Sequence, residues 1–248
     1  MKRFIAVSAM TLLAACSTTS NTTEQQPPAW SYEGNTGPAH WAQLTPEYGA
    51  CNGKNQSPVD LTSFTEASLK PLQFQYKAGG NEVVNNGHTV QVNYDVGSSV
   101  FIDGVQFNLV QFHFHAPSEN HINGMSYPLE AHLVHKDRHG NLAVVAVMFK
   151  EGTPNEGLAK VWAQMPQNKG DKNALSPPVS VSEILPKNRD HYRFNGSLTT
   201  PPCSEGVIWT VMKQPMTASK AQIAQFAGVL HHANNRPIQA TNARTILK

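Results

Sequence analysis

The chain has 248 residues, of which 40% are apolar, within the range of globular proteins, and 15% are charged. That length holds one domain with a full core and does not require two, and no apolar run is long enough to span a bilayer as a helix. Lys and Arg number 19 against 17 Asp and Glu, with no basic cluster, which excludes a nucleic-acid binder.

The first element is a processing segment. Lys2 and Arg3 precede an apolar stretch from Phe4 to Ala15, the order and length of a signal peptide. It ends in Leu13-Ala14-Ala15-Cys16, which resembles a bacterial lipobox, where the cysteine is acylated and becomes the first mature residue. An ordinary small-residue cleavage site is the alternative. The residues that follow are polar and contain two prolines, the composition of a tether. The expected division is therefore signal peptide 1–15, tether 16–29 and body 30–248. Losing residues 1–15 removes two positive charges and leaves 17 basic against 17 acidic groups. Of the three cysteines, Cys51 and Cys203 remain once Cys16 is lipidated or lost, and in an oxidising compartment they can pair. Two free buried thiols are the other reading.

Strand patterns dominate the body: Val90 to Tyr94, Val105 to His115, Glu130 to His135, Leu142 to Lys150 and Gly206 to Lys213. Turn residues separate them at Asn85-Asn86-Gly87, Gly97-Ser98, Asp103-Gly104, Asn123-Gly124 and His139-Gly140-Asn141. Helical patterns cover only Pro154 to Met165 and Ala218 to His231, the second capped by Thr217 or Ser219. The expectation is a mainly β chain, α+β by strict class, in a single domain with short peripheral helices.

Eleven histidines are many for this length. His113 and His115 lie in one strand pattern, so they share a face while Phe112 and Phe114 occupy the other. His132 lies in a second strand. Three imidazoles with a fourth position open make the catalytic form of a zinc site, whereas four protein ligands make the structural form. By the same parity Gln111 shares the face of His113, and Glu130 that of His132. Such groups accept the second N–H of a metal-bound imidazole and fix its orientation. His135 falls on the opposite face and reads as structural.

Here the chain resembles a known family. Gln111-Phe-His-Phe-His115, Glu130-Ala-His-Leu-Val-His135 and Gly196-Ser-Leu-Thr-Thr-Pro-Pro202 look like the strings of α-class carbonic anhydrases. So do Gln56-Ser-Pro58, Asn85-Asn-Gly-His88 and Asn235-Arg-Pro237, in the family's order from about Trp30 onward. Together they are highly specific, and Ala116-Pro-Ser-Glu-Asn120 after the ligands is similar to the bacterial, exported branch. The resemblance implies a large twisted, mostly antiparallel central sheet. It implies one Zn2+ per chain and reversible hydration of CO2 to bicarbonate and a proton by a zinc-bound hydroxide, with weak ester hydrolysis as a side reaction. It makes Thr199 the residue that orients the hydroxide, Glu119 the acceptor of the Thr199 hydroxyl, and His88 the proton shuttle. Tyr32 and Asn86 match residues that order the connecting waters. Val134, Val144, Leu198, Thr200, Val207 and Trp209 match the substrate pocket, whereas the bare sequence reads the apolar ones as core. Thr89 and Gln91 fall loosely at cavity positions, and Asn234 is a candidate to offer its backbone carbonyl to His115. Ser57-Pro58 and Pro201-Pro202 match cis peptide bonds. The implied location is the periplasm of a Gram-negative bacterium, with outer-membrane anchoring through Cys16 and homodimers as in exported relatives.

Two other readings compete. His113-x-His115-x3-Glu119 also fits the first metal motif of cupins, but Glu130 to His135 lacks the spacing of the second. A non-catalytic zinc-holding binding protein on the same scaffold typically loses ligand histidines, and here all three remain.

Overall fold

The computed structural model describes residues 29–248; the signal segment, Cys16 and the tether to residue 28 lie outside the described residues. The strands are β1 (Asp60–Leu61), β2 (Gln73–Gln75), β3 (Gly80–Asn85), β4 (Val90–Tyr94), β5 (Ser99–Ile102), β6 (Val105–His115), β7 (His121–Ile122), β8 (Leu129–Lys136), β9 (Leu142–Glu151), β10 (Lys172–Val179), β11 (His191–Ser197), β12 (Glu205–Met212) and β13 (Met216–Ala218). The α-helices are α1 (Trp41–Leu44), α2 (Glu156–Trp162) and α3 (Lys220–Leu230).

Eleven strands make one sheet along β10-β3-β4-β6-β8-β9-β12-β11, with β13 beside β9 and β2-β5 attached to β6. Only β12 and β13 run parallel to their partner β9; the other ladders of this sheet are antiparallel. The mainly antiparallel, α+β reading holds. Glycines at the expected turns take positive φ, among them Gly87, Gly104, Gly124 and Gly140, where a side chain would be strained.

The central strands β8 and β9 are buried on both faces over most of their length, and β9 accordingly reads as a nearly continuous apolar run; β6 buries one face fully and the other only toward its end at His115. One face packs Phe112, Phe114, Leu133, Val145 and Val147 under α2 and α3, with Trp162 and Phe226 stacked between the helices. The other face packs Val144, Ala146, Met148, Trp209 and Val211 against Val59, Leu61 and Ile246. The two aromatic rings that flank His113, Phe112 and Phe114, are thus the anchors that seat β6 in the core, and fully burying each contributes about 2–3 kcal/mol.

Both helices are shorter than the sequence patterns. Asn155 caps α2 through Leu158 N–H, so Pro154 stays outside, and the helix ends at Trp162 ahead of a turn. Ser219 caps α3 in a reciprocal pair with Gln222, and Thr217 and Ala218 belong to β13 instead. His231 ends α3 in the left-handed conformation.

A third, smaller cluster gathers Trp41, Tyr48, Cys51 and Cys203, with Trp30 and Tyr32 packed on it. Cys51 and Cys203 form a disulfide across 152 positions of sequence. Ser57-Pro58 and Pro201-Pro202 are cis, as are Ala116-Pro117 and Ser176-Pro177.

Candidate metal centre

His113 and His132 face each other directly in the β6–β8 ladder, and His115 sits two residues on along β6. The register alone therefore brings three imidazoles to one patch of sheet. One ligand nitrogen from each lies within 4.8 Å of the others. His115 and His132 are buried and His113 is half-buried, so the patch opens to solvent on the His113 side.

The second nitrogen of each ring has a fixed partner. His113 Nδ1–H donates to Gln111 Oε1 at 2.8 Å. His115 Nδ1–H donates to the Asn234 carbonyl at 2.7 Å, and His132 Nε2–H donates to Glu130 Oε1 at 2.9 Å. A carbonyl or ionised carboxylate oxygen can only accept, so each of these nitrogens carries the proton. The lone pairs left over, on His113 Nε2, His115 Nε2 and His132 Nδ1, are those that converge. Burial, the largest cause in each case, holds all three imidazoles below their ordinary pKa, well below for His113 and His132. They are neutral at physiological pH, the form that binds metal without first losing a proton.

A metal fits this donor set. His115 Nε2 and Glu119 Oε2 are buried and without hydrogen-bond partners. Leaving such atoms unpaired costs about 1–3 kcal/mol each, so an orphaned imidazole lone pair at the convergence point marks a place for a cation. Three nitrogens and an open position are the catalytic arrangement of zinc.

Glu130 also organises what surrounds the ligands. Its Oε2 accepts the backbone N–H groups of Glu119 (2.7 Å) and Asn120 (2.9 Å), and its Oε1 accepts Asn120 Nδ2 (2.8 Å). Burial raises its pKa, but every contact it makes is from a donor. Glu119 is held by Arg236 N–H at 2.8 Å, and its Oε2 reaches to 3.5 Å from His115 Nε2 and 3.8 Å from His132 Nδ1. Burial raises its pKa well above the usual carboxylate range, opposed by that N–H and by the Thr199 hydroxyl.

Thr199 is buried on the loop between β11 and β12. Leu198 N–H donates to the Ser204 carbonyl and Cys203 N–H to the Thr200 carbonyl, closing the loop on itself. Gln56 Nε2 donates to the Cys203 carbonyl, and Trp209 Nε1–H donates to the Ser197 carbonyl at 3.0 Å. Trp209 also sets its ring edge-on to His132, centroids 4.9 Å apart. Val144, Val207 and Trp209 are buried, and Val134, Leu198 and Thr200 are half-buried; the apolar five belong to the core cluster on the histidine face.

His88 lies in the turn between β3 and β4, its ring stacked on Trp30 at 3.8 Å. Asn86 Oδ1 accepts the N–H groups of His88 and Thr89 and so is spent on shaping this turn. The Thr89 hydroxyl bonds the backbone of Phe114, a structural rather than a cavity position. Tyr32 stands between His88 and His232.

Contacts that the sequence did not assign complete the frame: those of the Asn234 side chain, beyond its carbonyl, and those of Arg236. The Asn234 side chain bonds the Ala116 N–H and the His88 and Phe114 carbonyls, so one residue ties the His88 turn to His115. Arg236, buried under Trp41, binds Gln56, the Ser57 carbonyl and the Cys51 carbonyl. Its neighbours in the Asn235-Arg-Pro237 string were a signal, but only three-dimensional placement shows what the guanidinium holds.

The model of the eukaryotic-type carbonic anhydrase family matches residues 36–248. A carbonic anhydrase of Pectobacterium carotovorum is 49% identical over 219 residues, covering 88% of this chain and 90% of that protein. Among solved structures, the α-carbonic anhydrase of Thermovibrio ammonificans is 49% identical with a TM-score of 0.88, covering 89% of this chain and 99% of its own. That of Photobacterium profundum is 47% identical with a TM-score of 0.85, covering 89% and 100%.

Proposed function

The chain belongs to the eukaryotic-type carbonic anhydrases, the α class, and on that premise we propose which of its residues carry the reaction. The enzyme is a zinc-dependent lyase that reversibly hydrates CO2 to bicarbonate and a proton, with one Zn2+ per chain. The observation that carries this reading is the set of three inward lone pairs, each fixed by an anchored N–H on the far side of its ring. Zinc bound there supplies a water acidified to a pKa near 7, a value known for carbonic anhydrases as a class.

His113, His115 and His132 hold the metal, and Gln111, Glu130 and the Asn234 carbonyl keep their tautomers and raise their basicity. Thr199 accepts a hydrogen bond from the attacking oxygen and donates its own to Glu119. An ionised Glu119 can only accept, so the Thr199 hydroxyl must be the donor there, and only a proton-bearing oxygen satisfies its other side. Burial works against that ionisation. Arg236 N–H and the positive charge of a bound cation favour it. Val134, Val144, Leu198, Val207 and Trp209 offer CO2 an apolar wall that water solvates poorly, with Thr200 beside the bicarbonate position. His88 passes the released proton to solvent, aided by waters ordered at Tyr32 and at Asn86 Nδ2, the Asn86 oxygen being taken by the turn. Weak ester hydrolysis uses the same nucleophile.

The disulfide agrees with export. The finer proposal is a periplasmic enzyme of a Gram-negative bacterium, with residues 1–15 removed, Cys16 lipidated in the outer membrane, residues 16–29 as tether and 30–248 as the catalytic domain, assembled as a homodimer. Intact mass of the membrane-extracted protein tests the first cysteine.

His113→Ala tests the reading. The variant should lose bound zinc and the sulfonamide-sensitive hydration of CO2 together; retention of zinc at full stoichiometry would mean a different ligand set.

A further inference from the structure

Trp30, Tyr32, Glu33, His88, Lys169 and His232 surround a cavity of about 210 Å³. His88 is half-buried in it, flat against Trp30 with an interplanar angle of 12°. Burial first, then the positive charge of Lys169 and the neighbouring His232, lower its pKa to about 4. The Lys169 stem crosses the turn beside it. A Cβ on Gly87, whose φ is +83°, would come within 2.5 Å of Lys169 Cδ. In this arrangement His88 is a weak proton acceptor at neutral pH, because relay groups work best when their pKa lies near the operating pH.

The same cavity holds a second imidazole. The Tyr32 ring lies 6.4 Å from that of His88 and 5.8 Å from that of His232. His232 Nδ1 faces the Ala233 carbonyl at 3.0 Å, so that nitrogen carries the proton and Nε2 keeps a free lone pair. His232 is half-buried, and it is two residues from Asn234, whose amide bonds the His88 carbonyl. The titratable and charged groups lining the cavity with His232 are Tyr32, Glu33, His88 and Lys169.

We propose that His232 is a second proton-relay residue, carrying protons from the Tyr32 side of the cavity to bulk solvent in parallel with His88. The inference rests on the reading of this rim as the proton exit. Nε2 takes a proton from a cavity water, and the imidazolium gives one proton to bulk water or buffer and returns to neutral.

Oxygen-18 exchange of labelled bicarbonate tests this, because it reads CO2–bicarbonate exchange and proton-limited water release separately. In weak buffer, water release from His88→Ala/His232→Ala should fall about fivefold below that of His88→Ala, a modest share of the roughly 10²–10⁴-fold that positioned proton transfer contributes. Added imidazole buffer should restore it. Equal rates for the double variant and His88→Ala would overturn the assignment, as would a parallel fall in both exchange rates. A normal rate for His88→Ala with a slow His232→Ala would refute the shuttle role of His88 and keep that of His232. In the metal-free protein at alkaline pH, ¹⁵N spectra should show His232 protonated at Nδ1; an Nε2–H tautomer would overturn the proposal.

Discussion

Replacing both Cys51 and Cys203 by alanine should destabilise the domain by about 5 kcal/mol. The bridge closes 152 positions of chain, and the chain-entropy relation gives about 5 kcal/mol for a loop of that length. That is a third or more of the roughly 5–15 kcal/mol that holds a typical domain together. The folded state changes little, because both cysteine carbonyls keep their partners: Gln56 Nε2 on Cys203 and Arg236 Nη2 on Cys51. The loss therefore acts through the denatured chain, which becomes freer. The assay is guanidinium unfolding of the oxidised protein and the double variant, followed by fluorescence. The midpoint should drop sharply while the slope steepens, since an unlinked denatured chain exposes more surface. A loss below about 1 kcal/mol would mean that residual structure or native strain, rather than loop closure, governs the bridge, and would refute this reasoning.

Glu130→Gln should weaken zinc about 10- to 100-fold, as is typical when a partner of a ligand histidine is lost, measured by competition with a chelator. The amide also sets an NH2 against the donors of Glu119 and Asn120, so loss should appear in both metal affinity and turnover. His135, fully buried with Tyr76 OH at 2.6 Å from Nε2, has a pKa lowered from 6.5 to about 4 by burial. Between those values the unfolded state binds more protons, so this group's contribution is intact above pH 6.5 and lost as pH falls toward 4. On going from pH 7.5 to 4.5 the wild type should lose about 2–3 kcal/mol more than His135→Gln. Equal losses would show that His135 does not resist protonation.

The metal site was legible because strand parity is a two-state code. His113, His115, Gln111, His132 and Glu130 need only the alternation of faces and one register, and the ladder pairs His113 with His132. His135 falls on the far face for the same reason. What parity could not supply was long-range placement. Asn120, 10 positions from Glu130, and Arg236, 117 positions from Glu119, act through main-chain and side-chain contacts that no local pattern announces. Trp30 and His232 look like any aromatic and any loop histidine until folding sets them beside His88 and Tyr32.

Some strands were hidden for equally physical reasons. β10 contains Pro177 and Pro178, which argue against a central strand, but it lies at the sheet edge and pairs only with β3, where proline is tolerated. β3 opens on Gly80, which reads as a turn. A Cβ there would come within 2.5 Å of Val179, so the glycine serves the close approach of these two strands. Val144, Val207 and Trp209, proposed above as the CO2 wall, pack in the core cluster on the histidine face, so composition alone reads them as core.

The most direct test of the three-histidine account is a zinc titration of the metal-stripped protein, followed by stopped-flow hydration of CO2. Activity should rise linearly and break at one zinc per chain. A protein that binds one zinc without gaining activity, or hydrates CO2 at full rate before zinc is added, would contradict it.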